Sequence, residues 1–159
     1  MNRRKKINKI FISKDLTDRV ITKKFINEAV DQILKELKIK NSEISILLTD
    51  NETIHKLNKR WRKKDKPTDV LSFPLNEEVE GYRYKLLGDV VISLPYAKKQ
   101  AEENNQSYQD EVLKLLIHGI LHLLGYDHER SEADAKRMFK KEEEIFKKLI
   151  SYFSKTTQT

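Results

Sequence analysis

Three of the four histidines in this chain fall within one short segment, His118-Gly119-Ile120-Leu121-His122-Leu123-Leu124-Gly125-Tyr126-Asp127-His128. His118 and His122 are four residues apart, so on a helix both rings leave from one face. Gly125 can adopt a left-handed conformation and turn the chain, which lets His128 swing back toward the first two rings. Three imidazoles in this layout can hold Zn²⁺ at about 2.0–2.1 Å each and leave a fourth position to water, as catalytic rather than structural sites do. A single histidine on an apolar helix is ordinarily a core residue with one hydrogen bond. Here two sit in the most apolar helical stretch of the chain, where unpaired imidazoles would be costly. One metal ion per chain is the expectation, although imidazole also suits Ni, Cu and Fe.

The spacing H-x-x-x-H-x-x-G-x-x-H is that of the metzincin zinc proteases, which place a glutamate general base directly after the first histidine. Gly119 occupies that place and cannot accept a proton. The pattern therefore keeps the metal geometry and lacks the protease base, which points to a metal-assisted hydrolase with its proton handling elsewhere. Asp127, just before the third histidine, either orients an imidazole or relays a proton, or else stabilises the bend between Gly125 and His128.

These side chains need a rigid support. The run from Gln106 to Leu124 reads as a helix apolar on nearly all sides, hence central and buried, and ended by Gly125. Strands are expected at Ile7–Ile12, Ile44–Leu48, Val70–Phe73 (stopped by Pro74) and within Tyr84–Leu94, with Asn76–Tyr82 an acidic surface loop. Thr17 or Thr22 caps a helix to about Lys38, with Phe25, Ala29, Ile33 and Leu37 on one stripe. Asp50 or Asn51 caps another, carrying Ile54, Leu57 and Trp61. Lys63–Pro67 is a charged loop. Pro95 opens a helix to about Glu103. Ser131 caps a last amphipathic helix through Ala135, Met138, Phe139, Glu142, Ile145 and Leu149. The sum is one α+β domain over residues 1–153, a small mixed sheet of about four strands packed with about five helices, and a polar tail at 154–159.

Composition agrees with one soluble domain. The chain has 159 residues, 38% hydrophobic and 36% charged, and no cysteine, so thiolate ligands and cysteine nucleophiles are excluded. The stretch after the basic N-terminus is too short and polar for a signal-peptide core, and no run reaches membrane-spanning length. Cytoplasmic residence is the expectation. The net charge of +7 is uneven: residues 55–66 hold seven Lys/Arg against one Asp/Glu. A basic patch of this kind fits a polyanion, nucleic acid first, or is a solvated face. Should it bind RNA, Lys63 and Lys64 are the cations expected at phosphates.

Three blocks together resemble the bacterial YbeY family of rRNA-maturation endoribonucleases. They are the histidine segment 118–128, the stretch Leu57-Asn58-Lys59-Arg60-Trp61-Arg62-Lys63-Lys64-Asp65-Lys66-Pro67-Thr68-Asp69-Val70-Leu71-Ser72-Phe73-Pro74, and the strand Leu87-Gly88-Asp89-Val90-Val91-Ile92-Ser93. The resemblance implies a zinc-dependent, single-strand-selective endoribonuclease in 16S rRNA 3′-end maturation and ribosome quality control. It implies ribosomal RNA and the small ribosomal subunit as partners, with no DNA and no membrane. It implies that His118, His122 and His128 are the ligands and that Arg62 is an active-site residue. Without the resemblance Arg62 is one more surface cation; with it, the guanidinium is the candidate for the phosphoryl charge that builds whether hydroxide or the RNA 2′-OH attacks. Ser72 and Asp69 are candidates to line the cleft, although Asp69 equally suits a turn. Asp89 reads as structural and His55 as a surface histidine. Trp61 and Phe73 either stack on bases or pack in the core. Two other classes stay open: a metal-dependent hydrolase of another bond, such as a peptide, which Gly119 disfavours, and a ribosome-associated binding module with a structural zinc.

Overall fold

The computed structural model describes residues 7–156. In chain order its elements are β1 (Lys9–Lys14), α1 (Lys23–Glu36), β2 (Ser42–Thr49), α2 (Asn51–Arg62), β3 (Val70–Glu77), β4 (Lys85–Ser93), α3 (Leu94–Glu103), α4 (Tyr108–Leu123) and α5 (Glu132–Thr156). The sheet runs β1-β2-β4-β3, with β1, β2 and β4 mutually parallel and β3 antiparallel to β4. This is the expected α+β domain: four strands and five helices.

Strand alternation decides which face is covered. The register sets Ile10 beside Ile44, Ile46 beside Val90 and Leu48 beside Ile92. These residues join one core with the apolar sides of α1, α4 and α5. The opposite face contributes Leu47, Val91, Leu71 and Phe73 to a smaller cluster under Ile54 and Leu57 of α2. The site is thus framed by helices from both sides of the sheet, meeting at its β3 edge.

Helix α4 is the rigid part. Val112, Leu113, Leu116, Ile117, Ile120, Leu121 and Leu123 are almost wholly buried, each contributing about 1.5–3 kcal/mol from the area removed from water. The Ser107 hydroxyl accepts from Asp110 N–H at 3.1 Å to cap its start, and Asp110 and Glu111 lie in the first turn, favourably for the helix dipole. At its end Gly125 N–H donates to the His122 carbonyl and Tyr126 N–H to the Leu121 carbonyl, both at 3.1 Å. Gly125 has φ +95°, which completes a Schellman motif and reverses the chain toward the helix.

The structure differs from the sequence expectations in four places. β1 begins at Lys9 and continues to Lys14, because pairing with β2 extends to Lys14 beside Leu48. Of the two caps the sequence offered for α1, Thr22 is the one used, accepting from Phe25 N–H. Pro74 does not stop β3, which runs on to Glu77 and takes in Asn76 of the expected loop; β3 is an edge strand, where the missing N–H costs no ladder bond, and the register shifts just after Pro74. Trp61 and Phe139 are exposed. Asn58 is buried in α2 alongside Ile54, and Met138, Ile145 and Leu149 form the inward stripe of α5. Finally, α5 continues through Ser154 to Thr156, where a frayed tail was expected; 157–159 lie outside the described residues.

One polar knot ties the β1–α1 loop to α4. Asp18 accepts from the Val20 and Ile21 N–H groups at 2.9 and 2.8 Å and from the Tyr108 hydroxyl at 2.7 Å. Partial burial alone would raise its pKa, but these bonds and nearby Lys14 outweigh that and hold the carboxyl below its ordinary value. A depressed folded pKa gives stability that is present above the unfolded value and lost as pH falls through the folded one. Asp18→Asn should therefore cost about 1–2 kcal/mol at neutral pH and flatten the acid limb below about pH 4. Denaturation series from pH 7 to 3 check this; parallel curves for the two proteins would remove Asp18 from the acid response.

Candidate metal centre and its cleft

Helix α4 presents His118 and His122 from one face, with ring centroids 4.5 Å apart and their Nε2 atoms 3.0 Å apart. After the Gly125 turn, His128 brings its ring to 5.5 Å from His118 and 5.4 Å from His122. One nitrogen from each ring can be chosen such that all three lie within 4.8 Å of one another. Two imidazole nitrogens 3.0 Å apart cannot both aim lone pairs at each other; a proton or a cation must lie between them. Burial, and then the neighbouring His118 and His128, lower the His122 pKa, which favours the neutral ring a metal requires. The donor set therefore fits a metal ion held by three imidazoles.

The histidines lie in a cleft of about 640 Å³. Arg62, Lys64, Lys66 and Lys114 supply its positive charge, and Asp69, Asp127, Glu129 and Glu142 its negative charge. The basic residues come largely from the loop after α2, and that loop is held firmly. The Asn58 side-chain amide donates to the Lys66 carbonyl at 2.9 Å and the Asn58 backbone carbonyl accepts from Lys64 N–H at 3.2 Å, while His55 Nε2 lies 2.7 Å from Asp65 Oδ1. The His55 hydrogen bond, followed by Lys59, keeps Asp65 below its usual pKa. His55 is thus a loop anchor rather than an isolated surface ring.

Arg62 lines the cleft from the last turn of α2, its guanidinium 5.6 Å above the Phe73 ring and one N–H donated to the Ser72 carbonyl. The Ser72 hydroxyl in turn donates to the Gly119 carbonyl at 2.9 Å. Arg62 is therefore tied through a single residue to the helix turn that carries His118. Ser72 does line the cleft, but it is buried and its proton is given to α4, so it positions rather than offers a free donor. Lys64 lines the cleft; Lys63 does not, and caps α2 in a left-handed conformation at φ 61°. Asp127 lines the cleft while its Oδ1 accepts from Glu129 N–H at 2.9 Å, the bond expected of a turn residue. Trp61, 58% exposed, is not a core residue, whereas Phe73 packs under α2.

Sequence reasoning placed Lys66 in the basic stretch without singling it out, and missed Lys114 and Glu142. Glu142 Oε2 stands 3.3 Å from His118 Nδ1. Its one sequence signal was a carboxylate at a position where the inward stripe of α5 calls for an apolar residue.

The structure also explains Gly119. A Cβ there would meet Val90 Cγ1 at 2.7 Å and Ser72 Oγ at 3.3 Å. The position faces the sheet, so a glutamate introduced there would be driven into β4. Gly119→Ala should lose about 1–3 kcal/mol to overpacking, offset by up to about 1 kcal/mol of helix propensity. Chemical denaturation measures the balance; a stabilised alanine variant would show that the sheet yields freely. Gly119→Glu should not fold.

Fold and site define a class: a small α+β protein whose sheet-backed helix and following turn bring together three histidines able to hold a metal ion. The family model for Endoribonuclease YbeY matches residues 8–150. The chain is 64% identical over 153 residues to the endoribonuclease YbeY of Persephonella marina, covering 96% of this chain and all of that one. It is 47% identical over 134 residues to that of Aquifex aeolicus, covering 84% and 88%. The solution structure of TM1509 from Thermotoga maritima superposes with a TM-score of 0.66 at 29% identity, over 92% of this chain and 93% of that one. The chain belongs to the YbeY endoribonuclease family.

Proposed function

We propose that this protein is a zinc-dependent endoribonuclease that cuts single-stranded RNA, acting on ribosomal RNA at the small subunit in 16S 3′-end maturation and ribosome quality control, in the cytoplasm. The observation that carries this reading is the convergence of His118, His122 and His128 in a cleft walled by Arg62, Lys64, Lys66 and Lys114. What zinc supplies when bound is Lewis acidity and a hydroxide source near neutral pH. Arg62, already oriented by Ser72 and by the Phe73 face, retains further N–H donors for a phosphoryl oxygen. Lys64 and Lys66 contact the backbone phosphates. Asp127 holds the bend that returns His128 to the centre.

The test is cleavage of a defined single-stranded RNA and of its duplex by the zinc-loaded protein, beside His118→Ala. The single strand should be cut, the duplex spared and the variant inactive. Affinity should fall with salt by a log–log slope of about −0.7 per phosphate contacted. Lys64→Glu and Lys66→Glu should weaken binding more than Lys63→Glu and leave zinc content unchanged. Cleavage that persists in His118→Ala, or efficient hydrolysis of unstructured peptides instead of RNA, would overturn the reading.

A further inference from the structure

The metal-facing atoms at the centre are identifiable, and they leave one nitrogen of His118 on the other side. The Nε2 atoms of His118 and His122 meet at 3.0 Å, so the ion-binding side of His118 is its Nε2 side. Nδ1 of the same ring points the opposite way, to Glu142 Oε2 at 3.3 Å. Glu142 reaches that place from α5, twenty-four residues along the chain. Both side chains are 29% exposed, so the pair is partly shielded from water without being sealed off from it.

A neutral imidazole carries its proton on either nitrogen, and only the nitrogen without it can bind a metal. An ionised carboxylate accepts hydrogen bonds and donates none. Beside Nδ1 it therefore favours the tautomer with the proton on Nδ1 and the lone pair on Nε2. It also limits rotation of the ring about its side-chain bonds and makes Nε2 a stronger donor. In metal-free protein His122 Nε2 can then donate to His118 Nε2, 3.0 Å away.

We propose that Glu142 is a positioning residue of the centre, which sets the tautomer and orientation of His118 and thereby tunes metal affinity. The inference rests on the reading of the three histidines as a metal site. Glu142 does not replace the general base that Gly119 lacks: its oxygen contacts the ring on the side away from the converging nitrogens. The carboxylate that a metzincin carries next to its first ligand and the one supplied here by α5 thus do different work. The same contact makes α5 part of the centre. Its inward stripe of Met138, Ile145 and Leu149 packs in the core that supports α4, so the last helix sets where Glu142 stands.

Two readouts test this on the full chain. The first is Zn²⁺ affinity, by competition with a chromophoric chelator, for wild type, Glu142→Gln and Glu142→Leu. Leucine suits the apolar stripe and removes the acceptor; glutamine keeps an acceptor oxygen without the charge. Glu142→Leu should bind Zn²⁺ about 10–100-fold more weakly, with Glu142→Gln in between and the melting temperature of the metal-free proteins little changed. The second is the long-range ¹H–¹⁵N correlation spectrum of the imidazoles in metal-free protein above the histidine titration range. It should show His118 protonated on Nδ1 in wild type and a mixture of tautomers in Glu142→Leu. The wild-type spectrum decides the tautomer even if a variant fails to fold. Wild-type affinity in folded Glu142→Leu, or His118 protonated on Nε2 in wild type, would overturn the proposal. A wild-type chain that binds no Zn²⁺ would instead sink the metal site itself.

Discussion

His122→Ala should purify without stoichiometric zinc and cleave RNA at about a thousandth of the wild-type rate or less. His122 is the inner member of the trio, with neighbours on both sides at ring separations of 4.5 and 5.4 Å. Its loss leaves two imidazoles, one of them on an exposed turn, too few to hold an ion against water at neutral pH. Metal charge stabilisation is worth several kcal/mol, and at 1.36 kcal/mol per tenfold the rate falls by about three orders of magnitude or more. Chelation should inactivate wild type to the same level. Added zinc should restore wild type but not His122→Ala. Zinc should also raise the melting temperature of wild type alone, since an ion that binds only the folded state stabilises it by mass action. Elemental analysis, melting curves and single-turnover cleavage on untagged protein make the comparison. Full-rate cleavage by metal-stripped protein would leave the histidines without a chemical role.

Arg62→Ala should fold, retain zinc and lose about 10²–10³ in kcat, the typical cost of one preorganised donor aimed at developing charge. The residue is exposed, so little stability depends on it. Its orientation is nonetheless specified, by the bond to the Ser72 carbonyl and by stacking over Phe73. Preorganisation of that kind acts where charge develops, so kcat should fall more than KM rises. Arg62→Lys should rescue only part of the loss, because an ammonium lacks the planar fork that spans two oxygens and cannot stack in the same way. Phe73→Leu should show a smaller loss of the same kind, since it removes the stacking face and leaves the guanidinium. A zinc-loaded, folded Arg62→Ala that cuts at the wild-type rate would reduce Arg62 to part of the basic surface.

The three-histidine cluster was legible in the sequence because its geometry is local. A four-residue helical spacing and a glycine after the last turn are enough to converge three rings, and φ +95° at Gly125 is the conformation that spacing asks for. The apolar run of α4 was legible for a similar reason, since a helix without a polar face has nowhere to be but inside. Element edges were less so. Pro74 reads as a stop until β3 is known to be the sheet's edge, where a missing N–H is harmless. Trp61 and Phe139 keep helical spacing with buried residues, yet only the packed neighbours decide which side of each helix is covered.

The tertiary structure alone decided the second layer of the site. Ser72 to Gly119 is a separation of 47 residues, and His118 to Glu142 one of 24. No periodicity connects such pairs, because they meet through the register of β3 against β4 and the packing of α5 on α4. Gly119 illustrates both halves. Its sequence shows that the protease base is missing, and only the sheet, with Val90 at 2.7 Å from where a Cβ would stand, shows that a side chain there collides with β4. The chain's own letters thus determined what could bind a metal; the packing of distant segments decided how the ligands are held and which charges face them.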